Sequence, residues 1–81
     1  MKVPRNIDGI ELARALAVLG YQIVRQSGSH IRLMTTQNGV HHLTIPHHSP
    51  LKVGTLLGGI LKPAAAHHKL TVEALLSILG W

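Results

Sequence analysis

Histidine is the residue type in this chain best suited to chemistry. The sequence holds seven in 81 residues, and histidine is the side chain whose unperturbed pKa lies nearest neutrality. His30 stands alone behind Gly28-Ser29. At the first position of a strand, just after a glycine turn, it would be held by the ladder yet face solvent. There it could serve as a general acid or base. Spacing alone favours the plainer reading, a surface histidine behind a turn glycine. The other six form adjacent pairs, His41-His42, His47-His48 and His67-His68. Pairs invite a metal, but neighbours on a strand point to opposite faces. A zinc site needs three or four convergent ligands with supporting partners, and the chain has only three carboxylates. No metal and no cofactor is expected.

Arg32, Lys52 and Lys62 could contact phosphate groups, or simply be solvated charges, and Arg25 could face either way. Ser27, Ser29 and Ser49 make poor nucleophiles, because no Ser-His-Asp set assembles without straining to include Asp8. Gly58-Gly59 follows no strand and precedes no Lys-Ser or Lys-Thr, so it is not a phosphate-binding loop. Tyr21 and Trp81 are the only aromatic residues. Base-stacking platforms need several exposed rings; nucleic acid would have to be held by charge, hydrogen bonds and shape.

The elements that must position these side chains read as follows. Asp8 with Glu11 forms a capping box pattern, and Leu12, Ala15, Leu16 and Leu19 share a helical stripe. A helix is predicted over about residues 8–19, with Gly20 at its C′ position. Residues 21–26 read as a strand whose faces are less clearly separated; if Ile23 is core, Val24 sits on the open side. Ser27-Gly28-Ser29 is a turn. His30–Thr35 alternates, and Asn38-Gly39 signals a hairpin. A third strand spans residues 40–45, with His41 toward the helices and Pro46 ending it. A second helix is predicted from about Lys52–Thr55, carrying Leu56, Leu57, Ile60 and Leu61. Gly58 and Gly59 weaken it by roughly 1 kcal/mol each, and Pro63 kinks or stops it. Thr71 caps a last helix, Val72 to Leu79. The class is α+β: helix, three-stranded antiparallel sheet, helix and a short C-terminal helix. Helices covering one sheet face leave His30, Arg32, His42 and Thr44 on the other. The order is that of a double-stranded-RNA-binding domain.

Length bounds the rest. Residues 1–81 suit a single domain, with no room for a large substrate cavity. Cysteine is absent, which excludes disulfides, thiol nucleophiles and cysteine zinc sites. No apolar run approaches the ~20 residues of a membrane span. Met1-Lys2-Val3-Pro4-Arg5 lacks the apolar core of a signal peptide; a cytoplasmic protein is expected. The net charge of +5 and pI near 10.5 suit a polyanionic partner such as RNA or DNA.

Several ordered motifs resemble the HicA toxin family, also described as YcfA-like. They are Leu-Gly-Tyr and Val-Arg-Gln ahead of Gly28-Ser29-His30, Ile45-Pro46-X-His48, Leu51-Lys-Val-Gly54-Thr55-Leu56 and Val72-Glu-Ala-Leu-Leu76. The resemblance spans nearly the whole chain. It implies a dsRBD-like fold and the toxin of a type II toxin–antitoxin pair. It further implies an endoribonuclease that cuts mRNA without a metal and is neutralised by a HicB-type antitoxin. The family's catalytic histidine falls on His30, with Gly28 and Ser29 as its positioning turn. Arg32, His42, His48 and Lys52 are the candidate RNA-binding or positioning residues. Two places depart from the pattern: His47 before the matching His48, and Pro63 with Ala64-Ala65-Ala66. Alone, the protein would be a monomer or weak homodimer. Two other readings stay open: a non-catalytic double-stranded-RNA-binding module, and an inactive toxin relative.

Overall fold

The computed structural model describes residues 6–47 and 51–81. Helix α1, Gly9–Ala15, tightens into a 3₁₀ turn, Leu16–Leu19, and ends at Gly20 in the left-handed conformation, φ 82°. Strands β1 (Gln22–Ser27), β2 (His30–Thr35) and β3 (His41–Pro46) follow. They form one antiparallel sheet in the order β1-β2-β3. A π-helical segment, Thr55–Leu61, runs directly into α2, Lys62–His67, and α3 spans Val72–Ile78. The architecture is the expected α+β arrangement.

Alternation sorts the sheet into two faces. Ile31, Leu33, Leu43 and Ile45 are buried against Leu12, Leu16, Leu56, Ile60, Leu61 and Leu75. Burying each of these side chains contributes roughly 1.5–3 kcal/mol. Thr35 is buried among them without cost in unmet polarity: its hydroxyl donates to the Leu19 carbonyl (2.8 Å) and accepts from the Gln37 N–H (3.1 Å). That pair ties the end of the first helix to the end of β2.

Four local expectations are corrected. Asp8 occupies the N-cap of α1, but its side chain accepts no capping hydrogen bond, so the capping box with Glu11 is not formed. Packing sets the start of the helix instead. Ile7 is buried and its carbonyl accepts the Leu51 N–H at 2.8 Å. Gly9 lies so close to Pro46 that a Cβ there would collide with the Pro46 carbonyl. Second, the predicted helix over 8–19 is α-helical only to Ala15, its last turn drawn tight by the Gly20 cap. Third, Ile23 is not core. A bulge between Ile23 and Arg25 shifts the β1–β2 register, and Ile23 and Val24 are both about half exposed (44% and 49%) on the edge strand.

Fourth, Pro63 does not stop the helix; the chain stays helical through it to His67. A proline in an α-helix lacks one N–H, and its ring meets the carbonyl four residues back. The widened π turn just before Pro63 re-aims those carbonyls and absorbs both problems. Leu56, Ile60 and Leu61 from the π segment and Ala64 and Ala65 from α2 are all buried, so core packing holds this geometry. The expected Thr71 cap of α3 is present, its hydroxyl accepting the Ala74 N–H at 3.0 Å.

Candidate functional site

The turn between β1 and β2 is two residues long, Gly28 and Ser29. Gly28 sits at φ +54° with nothing within 4 Å of where a Cβ would stand. Backbone conformation, not space, calls for glycine there. A two-residue turn dictates the pairing outward from it: Ser27 opposite His30, Gln26 opposite Ile31, Arg25 opposite Arg32. On its other side β2 sets His30 opposite Pro46. The Ser29 carbonyl accepts the His47 N–H at 2.6 Å, which fastens the turn to the end of β3. The Ser29 hydroxyl lies 3.5 Å from His30 Nδ1, at the long limit of a hydrogen bond. That contact engages Nδ1 and leaves Nε2 as the nitrogen for a substrate. His30 is thus rigid in its backbone and exposed in its side chain.

Cross-strand rows organise the face that the helices leave open. Ser27, His30 and Pro46 form one row. Arg25, Arg32 and Thr44 form the next, and Gln22, Met34 and His42 the third. Strands lie about 4.8 Å apart, and successive rows about 7 Å. Arg32 is therefore in the row beside His30, whereas His42 shares the face about 13 Å along the strands. His30, Arg32, His42 and Thr44 are all exposed. No Asp or Glu occurs anywhere in residues 22–46, so the face carries positive charge only. Lys52 is exposed and sits immediately before the helical run, its carbonyl accepting the Leu56 N–H at 2.9 Å. Among the described residues no side-chain hydrogen bond joins Lys52 to His30. His48 lies outside the described residues.

A second group of histidines gathers at the opposite end of β2. Tyr21, just before β1, is buried with its hydroxyl 2.7 Å from His41 Nδ1 and 3.3 Å from His68 Nε2. His68 Nδ1 lies 3.2 Å from the Asn38 side-chain amide nitrogen, which can only donate. His68 Nδ1 therefore accepts, its Nε2–H donates to Tyr21, and the Tyr21 hydroxyl donates to His41 Nδ1. One amide orients every proton in the chain. His67 Nε2–H donates to the Gln37 and Gly39 carbonyls (2.9 and 3.0 Å), and its ring stacks on His41 with centroids 4.4 Å apart. Burial holds the His41 pKa below the usual histidine value, with the charges of His67, His68 and His42 adding to the effect. Burial, then His67, lowers that of His68. Burial pushes the Tyr21 hydroxyl up to about 12. Among the described residues no three His, Asp or Glu side chains are placed to hold a metal ion.

Strand alternation sets His41 toward the helices but names no partners for it. These contacts join residues 20 to 47 positions apart, and no local spacing signals them.

Among the described residues no helix is long and apolar enough to cross a membrane. The family model of the HicA toxin of bacterial toxin–antitoxin systems matches residues 9–64. No curated protein and no solved structure matches the chain significantly.

Proposed function

The chain belongs to the HicA toxin family, and from that premise we propose that it is an endoribonuclease that cuts mRNA with His30 as its catalytic base. One observation carries the reading. His30 stands exposed at the first position of β2, anchored by a two-residue turn and flanked on an open basic face by Arg32.

The chemistry follows from RNA's own nucleophile. His30 Nε2 takes the proton of a ribose 2′-hydroxyl, and the 2′-oxygen attacks the adjacent phosphorus. The P–O5′ bond breaks, giving a 2′,3′-cyclic phosphate and a 5′-oxygen that takes a proton from solvent water. DNA lacks the nucleophile, so the reaction is RNA-specific. Arg32 stabilises charge gathering on the phosphoryl oxygens. A positioned base contributes typically 10²–10⁴-fold. Gly28 and Ser29 position His30. His42, about 13 Å away along the strands, together with His48 and Lys52, contacts the RNA beyond the scissile bond. No metal or cofactor takes part in this scheme.

The protein acts in the cytoplasm as one domain over residues 1–81, its sheet and helices arranged as in a double-stranded-RNA-binding domain. A HicB-type antitoxin neutralises it. An acidic surface on that partner would complement the open basic face and cover His30.

Purified mRNA incubated with wild type and with His30→Ala, each with and without excess EDTA, tests the mechanism. Cutting that survives EDTA and is lost in the variant supports it. Equal cutting by the variant, or cutting abolished by EDTA, overturns it. Binding of duplex RNA by wild type without product would instead support a non-catalytic binding module.

A further inference from the structure

Arg25 and Arg32 are direct cross-strand neighbours. Like charges facing each other across an antiparallel pair are unfavourable. Nothing on the sheet relieves them, because residues 22–46 contain no carboxylate, and the helices cover the other face. The third member of the row is Thr44, exposed and bearing a hydroxyl donor. The row thus presents two guanidinium groups and one hydroxyl to solvent, beside the row of His30. Directly opposed residues have Cα atoms about 4.5–5.5 Å apart, well within the combined reach of two arginine side chains to one point. Arginine's planar fork suits bidentate contact with phosphate oxygens.

The turn that positions His30 also sets this pairing. Counting outward from Gly28-Ser29 puts Arg25 on the face of Arg32, and the ladder stays regular up to that pair. The bulge begins only beyond it, at Val24. Bulges kink and twist a strand locally and are common beside active sites. Counted from the turn, the bulge here lies directly after Arg25, and pairing resumes beyond it with Ile23 opposite Leu33 and Gln22 opposite Met34.

We propose that Arg25, Arg32 and the Thr44 hydroxyl form a clamp for one backbone phosphate of the RNA, next to His30, with Arg25 as a substrate-positioning residue. The clamp rests on the ribonuclease reading given above, and deepens it by adding the residue that holds the strand in register with the base. It reads phosphate and not sequence.

Binding of a fluorescent single-stranded RNA oligonucleotide is measured in the His30→Ala background, where the probe stays intact, across a range of KCl concentrations. Arg25→Gln should weaken binding about ten- to a hundredfold. It should also flatten the slope of log affinity against log salt by about 0.7, the value for one phosphate contact on a single strand. Arg25→Lys should keep most of that slope. Arg14→Gln, which removes the same charge from exposed α1, is the control and should change both far less. Circular dichroism melting should show Arg25→Gln folded, at least as stable as its parent, since a repulsion is removed.

If Arg25→Gln behaves like Arg14→Gln while wild type still cuts RNA through His30, the clamp is wrong and the ribonuclease reading stands. If wild type neither binds nor cuts RNA, that reading fails, and inorganic tripolyphosphate decides the clamp alone. Shifts of both the Arg25 and Arg32 side-chain NMR signals on titration support it; no shift overturns it.

Discussion

The two ends of β2 use histidine in opposite ways. At its start, His30 is exposed, and among the described residues its side chain meets only a long contact from Ser29. At its far end, across from Thr35, His41 begins a cluster in which Tyr21, His68 and Asn38 are joined through hydroxyl, ring nitrogens and amide, with His67 stacked on His41. Six residues of one strand separate the two. A ring committed to fixed partners is unavailable to a substrate, and a ring without them contributes little to holding the fold. Residue type alone does not tell a catalyst from a structural member; the partners do.

The sharpest way to separate the ends is to truncate each. His30→Ala should lower RNA cleavage by about 10²–10⁴-fold and leave thermal melting unchanged. A matching fall in melting temperature would show that His30 is structural after all. Tyr21→Phe removes the hydroxyl that joins His41 to His68 and leaves both nitrogens facing no donor or acceptor. It should cost about 1–3 kcal/mol of stability, read as a melting shift of about 4–8 °C per kcal/mol in a chain this size. Cleavage well below the melting point should persist. Loss of activity with melting intact would break the distinction.

Acid should destabilise the cluster end. The folded-state pKa values of His41 and His68 lie below the unfolded value of 6.5. Below pH 6.5 the unfolded chain therefore binds more protons than the folded one, and stability falls. The contribution is complete above pH 6.5, lost as pH drops through the folded values, and constant beneath them. At the alkaline end the sign reverses. An unfolded tyrosine ionises near 10, and buried Tyr21 only near 12, so stability falls again as pH rises between them. Melting followed from pH 4 to 8 should show the acid limb, and His41→Gln with His68→Gln should flatten it. An unchanged limb in that double variant would refute the assignment. The smallest effect is expected at Asn38. Glycine can keep its positive φ of 58°, so Asn38→Gly removes only the orienting amide. About 0.5–1 kcal/mol should be lost; an unchanged melting point would mean that the amide orients nothing.

Much of this arrangement is legible in local pattern. His30, Ile31, Arg32 and Leu33 alternate as a half-buried strand must, and the structure buries the two that alternation selects. Thr71 caps as its hydroxyl chemistry dictates. What escapes are features set by packing at a distance. Pro63 and Gly58-Gly59 are local breakers, yet five buried side chains from Leu56 to Ala65 hold the helix together across them. Alternation does not reveal that β1 is the edge strand, where Ile23, although opposite buried Leu33, stays 44% exposed. His67 and His68 read as one more pair because nothing nearby announces Tyr21, 47 residues earlier than His68. The candidate base is legible through its glycine turn and family motif, while Arg25 needs the observed register.

Tyr21 is the chain's single tyrosine, and it sits between two imidazoles. Any tyrosinate absorption near the red edge of the aromatic band must originate there. An ultraviolet titration thus becomes a site-resolved optical gauge of whether the cluster is closed, with no label introduced. Because the His30 end of β2 holds no tyrosine, that signal reports the Tyr21 cluster and not the His30 end.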